Sequence, residues 1–294
     1  MSPVEPGTAG AALTAALRAD IERLLAAEPE VRADADDSVH QMRVATRRLR
    51  SVLRSYKRLL DPDTAGRVRT ELAWLAGILG VARDAEVRGA RFADLLDRYA
   101  EKDCTALKPT RKRLVRAERD RYLAAHGAVL TALDSTRYRT VRGELKKWRK
   151  HPPLSTSVSG APAAEVFDAV LRADRKRVRR LVRAEPTAAP TERVELLHDI
   201  RKSAKRLRYS CEAAEAVLGE FATDLGGRAK HLQTVLGDHR DAVESYDALR
   251  VHAAAAHAAG EATHLYETLA DAEDTAAGRC LARYPAAAAA IDKS

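Results

Sequence analysis

Hydrophobic residues recur along this chain at intervals of three and four positions, and most residues between them are polar or charged. No window alternates apolar and polar residues with a period of two over the length of a strand. Spacing of three and four places apolar side chains on one face of an α-helix. The pattern therefore predicts an all-α protein.

The same periodicity predicts the helices in each half of the chain. In the first half they cover residues 8–27, 38–60, 64–82, 85–100, 104–132 and 136–149. In the second half they cover residues 163–184, 191–218, 221–237, 240–259 and 262–291. Asp61-Pro62-Asp63 and Gly80 supply helix boundaries, and Ser38 and Asp84 are suitable N-caps. Residues 151–162 are rich in proline, serine and glycine, which predicts a linker.

The two halves share a duplicated motif. His40-Gln-Met-Arg43-Val-Ala-Thr-Arg47-Arg48-Leu49-Arg50 has a second version, His198-Asp-Ile-Arg201-Lys202-Ser-Ala-Lys205-Arg206-Leu207-Arg208. Each copy is followed, at nearly the same distance, by a Leu-Gly-x-x-Arg-Asp phrase, at Leu79 to Asp84 and at Leu236 to Asp241. We therefore expect two similar halves, residues 1–150 and 163–294, joined by the linker at 151–162.

The first copy of the motif predicts a helix with one apolar and one cationic face. On a helical wheel its cations form a stripe about 100° wide, with His40 at the margin: Arg43, Arg47, Arg50, Arg54 and Lys57. The opposite face carries Met42, Ala45, Leu49, Val52, Leu53, Tyr56 and Leu60. No acid occurs between His40 and Lys57 to relieve the repulsion between like charges. Such a surface is one that a bound anion would stabilise.

The second copy repeats the stripe but shortens it. His198, Arg201, Lys205 and Arg208 have the same offsets, and Lys202 and Arg206 lie beside them. Glu212 and Glu215 then stand where the first copy has Arg54 and Lys57. We therefore expect one composite site to which the halves contribute unequally.

Further candidates lie at the edges of this predicted site. Arg48 and Arg206 are turned away from the centre of the stripes, so they either reach the same anion or bridge to neighbouring acids. Arg83 and Arg240 belong to the Leu-Gly-x-x-Arg-Asp phrases, which predict a corner between two helices, and Lys230 is a weaker candidate. His40 and His198 are expected to donate to phosphate oxygens, with pKa values raised by the bound anion.

Composition agrees with an anionic partner. Lys and Arg number 51 against 42 Asp and Glu, a formal net charge of +9. The three cysteines lack the spacing of a zinc site or a disulfide scaffold, and the histidines lack metal-ligand spacing, so we predict no metal and no cofactor. The sequence shows neither a signal peptide nor a membrane-length apolar run, which predicts a soluble cytoplasmic protein.

The two histidine-headed motifs and the two Leu-Gly-x-x-Arg-Asp phrases resemble the CHAD family, the conserved histidine α-helical domain. The resemblance covers nearly the whole chain. It implies two bundles of four core helices, related by pseudo-twofold symmetry around a basic cavity that binds inorganic polyphosphate, in proteins associated with polyphosphate granules. CHAD domains are often fused to a CYTH-type triphosphatase, whose ExExK strand motif is missing from this sequence. The chain is therefore expected to be a stand-alone CHAD protein and not an enzyme.

Two other functions remain open at this point. Arginine stripes also bind nucleic acids, although no aromatic residue interrupts the stripe to stack on bases. A phosphoryl-hydrolysing enzyme could use His40 or His198 as acid, base or phospho-acceptor. Such chemistry normally recruits Mg²⁺ through carboxylates, which the stripes do not contain.

Overall fold

The computed structural model of the protein describes residues 7–99 and 105–292, so Cys104 lies outside it. The described residues form helices and contain no β-strand, which confirms the predicted all-α class. The α-helices are α1 (Ala9–Arg32), α2 (Ser38–Ser55), α3 (Pro62–Tyr99), α4 (Leu107–Arg111), α5 (Ala117–Asp134), α6 (Thr136–Trp148), α7 (Ala163–Ala184), α8 (Pro190–Leu218), α9 (Glu220–Ala258), α10 (His264–Ala282) and α11 (Tyr284–Ala289). Short 3₁₀ segments occur at Lys57–Leu59, Glu185–Thr187 and Ala290–Asp292, and a π-helical turn at Lys112–Arg116.

The chain divides in space into two compact units. The first contains the residues up to Leu79, Leu130–Gln233 and the segment from Ala287 onward, and the second contains Gly80–Val129 and Thr234–Ala286. Each unit therefore draws on both halves of the sequence. The arrangement of the halves as two bundles with pseudo-twofold symmetry stays a prediction.

Four helices build the core of the first unit: α1, α2, α7 and α8. The apolar face predicted for α2 is buried in full, because Met42, Ala45, Leu49, Val52, Leu53, Tyr56 and Leu60 are each less than 5% exposed. The ring of Tyr56 lies 4.6 Å from that of Phe167 on α7, and its hydroxyl donates to the carbonyl of Ser210 on α8. Burial of this face orients the other face of α2, with its cations, away from the core.

The predicted linker lies against the start of α1 and the chain that precedes α3. The backbone N–H groups of Ala9 and Gly10 donate to the carbonyls of Ala161 and Ser159, at 2.8 and 2.9 Å. Gly10 suits this close approach, since a Cβ atom at this position would stand 3.0 Å from the Cβ atom of Ser159, closer than ordinary van der Waals contact. Residues 151–162 thus belong to the first unit and are held in it by backbone hydrogen bonds.

The second unit has a core of its own. Phe92, Leu96, Leu114, Leu249 and Leu269 are almost completely buried in it. Arg91 donates from Nε and Nη2 to both carboxylate oxygens of Glu273, a residue only 1% exposed. This bidentate pair satisfies a carboxylate that would otherwise be costly to bury.

The predicted helix boundaries at the Leu-Gly-x-x-Arg-Asp phrases are wrong. Helix α3 continues through Gly80 and Asp84, and α9 continues through Gly237 and Asp241. Asp84 is therefore not an N-cap but an exposed residue inside a helix. A glycine inside a helix costs about 1 kcal/mol relative to alanine, and here the buried apolar residues on both sides outweigh that cost: Leu79, Ala82 and Ala85 on α3, and Leu236 and Ala242 on α9.

Smaller corrections concern the ends of α2. Its N-cap is Asp37, with a positive φ of 55°, whereas Ser38 is the first helical residue and is buried. The helix ends at Ser55 instead of residue 60, because the chain tightens into the 3₁₀ turn and Asp61 then caps α3 by accepting a hydrogen bond from the N–H of Thr64 at 2.9 Å. The predicted helix 104–132 is interrupted by the π-helical turn, and 262–291 by a break near Arg283.

Candidate anion-binding groove

A groove of about 780 Å³ lies between α2 and α8 in the first unit. Cations supply most of its lining, and Asp199 is the one carboxylate in it. We call this feature the groove, and it is lined by Arg47, Arg50, Ser51, Arg54, Lys57, Arg69, Arg177, Asp199, Lys202, Ser203, Lys205, Arg206 and Tyr209.

Each helix presents its cations to the groove because its apolar side is buried. On α2 the buried residues are those of the predicted apolar face. On α8, Ile200, Ala204 and Leu207 are fully buried, which leaves Lys205 and its neighbours on the other side. Lys57 lies beyond the end of α2, in the 3₁₀ turn, yet still lines the groove.

Lys205 is surrounded by arginines from both copies of the motif. We call this group the Lys205 cluster, and it comprises Lys205, Arg43, Arg47, Arg201 and Arg208. Burial lowers the pKa of Lys205 to about 6, and the charges of Arg47, Arg201, Arg43 and Arg208 add to the effect. Neither Lys205 nor Arg47 forms an ion pair with a carboxylate of the described residues. Lys205 and Arg208 lie over the ring of Tyr209, at 5.7 and 5.4 Å from its centre, which offsets part of the repulsion.

The arginine side of the Lys205 cluster is also strained electrostatically. Burial lowers the pKa of Arg47 to about 10, and Arg43, Arg201 and Arg50 contribute further repulsion. Guanidinium groups normally stay charged at every accessible pH. A lowered pKa therefore marks a place where positive charge is held without enough compensation.

A second group of cations extends the groove beyond the motif. Burial lowers the pKa of Arg54, and Arg206, Arg177 and Arg69 lower it further. Burial likewise lowers the pKa of Arg50, and the charges of Arg69 and Arg54 lower it further. Arg69 comes from α3 and Arg177 from α7, where the Nε of Arg177 donates to the hydroxyl of Ser203 at 3.2 Å. Neither residue could be predicted from the sequence, because no motif distinguishes it from the many other arginines of the chain.

Two arginines of the motif have a different role. Arg48 pairs with Asp20 of α1 at 2.6 Å and also with Glu212, and Arg206 pairs with Asp174 of α7 at 2.7 Å. The two aspartates are only 2% and 3% exposed. Burial raises the pKa of Asp20, and Arg48 and Arg23 counteract this increase. These pairs attach each cationic helix to its neighbour. Of the two roles predicted for Arg48 and Arg206, the structure therefore shows the bridge to neighbouring acids.

A sequence model of the CHAD domain matches residues 15–250. The chain belongs to the CHAD family. Over 280 residues it is 39% identical to MT2285 and to Rv2226, proteins of two Mycobacterium tuberculosis strains. These alignments cover 95% of the chain but 53% of each relative, so the chain spans about half the length of the curated relatives it matches.

Solved structures share the fold of this CHAD protein. PptA from Streptomyces chartreusis superposes with a TM-score of 0.77 at 21% identity, covering 95% of this chain and 99% of that one. The CHAD domain from the plant Ricinus communis superposes with a TM-score of 0.67 at 23% identity, covering 100% and 96%. At these identities the comparison establishes the fold.

The other predicted site residues of this CHAD protein lie outside the lining of the groove or carry acid partners. Lys202 lines the groove but pairs with Asp199 at 2.7 Å, and Arg208 pairs with Glu212 at 2.7 Å. His40 and His198 are half-buried on α2 and α8, and Lys230 is exposed on α9. None of these last three belongs to the lining of the groove.

Arg83 and Arg240 are not brought into the groove either. Both belong to the second unit, where Arg83 pairs with Glu86 and Arg240 with Glu244 on their own helices. The predicted corner that would have aimed them does not exist, because α3 and α9 are continuous at these positions. Their place in an anion site was inferred from that corner.

The described ranges contain neither a group of metal ligands nor a membrane-spanning helix. Residues 7–99 and 105–292 contain no group of three His, Cys, Asp or Glu side chains that could hold a metal ion. No described helix is long and apolar enough to cross a membrane.

The contrast between paired and clustered arginines predicts opposite effects on stability. Arg206→Met should lower the free energy of unfolding by about 3 kcal/mol, since it leaves the buried Asp174 without its cation. Arg47→Met should raise it slightly, since methionine keeps the apolar stem and removes an uncompensated charge. Chemical denaturation of the two variants measures both effects. Equal destabilisation by both variants would show that Arg47 is a structural residue.

Proposed function

We propose that this CHAD protein binds inorganic polyphosphate in the groove, as a binding module and not as an enzyme. The observation that carries the proposal is the Lys205 cluster. Within it, Lys205 and Arg47 are held close to other cations without an ion-paired carboxylate among the described residues. Folding a cluster of this kind costs free energy, and a bound polyanion would recover it.

The shape of the groove favours a chain of phosphates over a single small anion. Cations of the groove follow α2 from Arg47 to Arg54, a distance of about 10 Å along the helix axis. One orthophosphate cannot contact both ends of such a row. An extended polyanion can contact all of it, and each contact releases counterions from the polymer. The planar guanidinium fork also matches phosphate oxygens in geometry.

The residues of the groove support polyphosphate more than nucleic acid. Single-stranded nucleic acids are commonly held by aromatic side chains that stack on the bases. The lining of the groove contains one aromatic residue, Tyr209, which is 3% exposed and is covered by Lys205 and Arg208. It offers no free ring face to a base.

The carboxylates of the groove do not favour phosphoryl chemistry. Enzymes that transfer or hydrolyse phosphoryl groups usually position Mg²⁺ with acidic side chains. Asp199, the carboxylate of the lining, pairs with Lys202. Release of phosphate from polyphosphate in the presence of Mg²⁺ would show that the protein also hydrolyses the polymer, and would contradict a function of binding alone. The family resemblance extends the proposal to a cytoplasmic location at polyphosphate granules.

Titration with fluorescently labelled long-chain polyphosphate tests the proposal. Arg47→Ala should weaken binding about tenfold or more, since a hydrogen bond to a charged group contributes about 1.5–3 kcal/mol. Arg172→Ala is the matched control, because Arg172 is an exposed arginine of the same unit that pairs with Asp168 outside the groove. DNA and RNA at equal phosphate concentration should compete poorly. Equal competition by nucleic acid, or unchanged affinity in Arg47→Ala, would contradict the proposal.

Binding should also depend on pH through Lys205. Its amine is neutral above a pKa of about 6 in the free protein, and a bound anion raises that pKa. Binding above pH 6 therefore takes up a proton, so affinity should fall as the pH rises from 6 towards the pKa of the complex. Lys205→Met should flatten this dependence, with its largest loss of affinity near pH 6. The histidine alternative predicts instead that the double variant His40→Gln, His198→Gln flattens it and that Lys205→Met does not.

A further inference from the structure

Three arginines from different helices meet at the end of the groove that lies beyond the Lys205 cluster. Arg54 comes from α2, Arg69 from α3 and Arg177 from α7, and all three line the groove. Arg69 and Arg177 both act electrostatically on Arg54. The neighbouring acids are already engaged, since Asp174 is held by Arg206 and two serine hydroxyls, and Asp199 by Lys202.

The corresponding residues of the other copy are neutralised. The second copy has Glu212 in place of Arg54, and this glutamate pairs with Arg48 and Arg208. Arg23 follows Asp20 by three residues, as Arg177 follows Asp174, yet Arg23 pairs with its aspartate at 2.8 Å and does not line the groove. Among the described residues, the other copy therefore offers no unpaired cation at the positions of Arg54 and Arg177.

The three arginines form a group apart from the Lys205 cluster. Arg54 is seven residues beyond Arg47 on α2, which corresponds to about 10 Å along the axis. None of the three arginines is among the charges that shift the pKa of Lys205 or Arg47. We therefore expect a pyrophosphate held by Lys205 and Arg47 to leave Arg69 and Arg177 without a phosphate partner. A longer chain that follows α2 would.

We propose that Arg54, Arg69 and Arg177 form an extension subsite, which binds further phosphates of a chain already held by the Lys205 cluster. This subsite rests on the proposed function. It adds a preference for long chains and a direction in which the bound chain runs. A chain extends from the Lys205 cluster towards the C-terminal end of α2, and not towards Glu212. Short condensed phosphates occupy the Lys205 cluster alone, and long chains occupy both.

The test compares pyrophosphate with long-chain polyphosphate in single-alanine variants. Arg69→Ala and Arg177→Ala should each weaken long-chain binding on the order of tenfold, the loss expected for one charged hydrogen-bonding group. Both should change pyrophosphate affinity less than twofold. Arg47→Ala should weaken both ligands. Isothermal titration calorimetry at fixed salt measures each affinity directly.

Two matched controls separate local contacts from the general loss of positive charge. Arg67 is exposed on the same helix as Arg69 but contacts Thr64 outside the groove, and Arg23 is the counterpart of Arg177. Arg67→Ala and Arg23→Ala should leave long-chain affinity within twofold of wild type. The salt dependence should distinguish the same variants. The slope of the logarithm of affinity against the logarithm of salt concentration should become shallower by about 0.7 in Arg69→Ala and in Arg177→Ala, the value for one phosphate contact of a single strand.

Thermal unfolding identifies any variant that fails to fold, and Arg69→Ala carries the test in that case, because Arg69 is exposed. Equal losses for pyrophosphate and long chains would overturn the extension subsite, as would losses in Arg69→Ala and Arg177→Ala no larger than those of the controls. If the wild-type protein binds neither ligand, the proposed function itself fails. The two failures are therefore distinguishable.

Discussion

Repulsion between the cations of α2 and α8 is the constraint on which the candidate site depends. These side chains would separate in an isolated pair of helices, because like charges at short distance destabilise each other. Two features of the first unit hold them together. The apolar faces of the helices are buried in one core, and the pairs of Arg48 with Asp20 and of Arg206 with Asp174 attach each helix to its neighbour. The fold therefore holds together an arrangement of like charges that a bound anion would stabilise.

The arginines of the repeated motif thus divide into two kinds that look alike in the sequence. Arg47 and Arg48 are adjacent, yet Arg47 lies in a cluster of cations and Arg48 neutralises a buried aspartate. Loss of Arg48 would leave a buried aspartate without this cation, whereas the cluster that contains Arg47 costs stability and forms part of the surface for which we propose anion binding. This division explains why net charge alone describes the protein poorly. What matters is which cations lack a carboxylate.

Much of this arrangement could be predicted from the sequence. The 3.6-residue periodicity gave the all-α class and the apolar face of α2, and the duplication gave the two cationic helices. Helix ends were harder to predict, since Gly80 and Gly237 look like stops but lie among apolar residues that keep α3 and α9 continuous. Arg69 and Arg177 could not be predicted, because their role comes from tertiary packing of α3 and α7 beside α2 and not from any local pattern.

A structure of the protein with a polyphosphate of defined length would test directly whether the groove binds the polymer. We expect a row of phosphates in the groove, in contact with Lys205 and Arg47 and extending along α2 towards Arg54. Phosphates bound on another face, with the cations of the groove making no contact to the ligand, would contradict it.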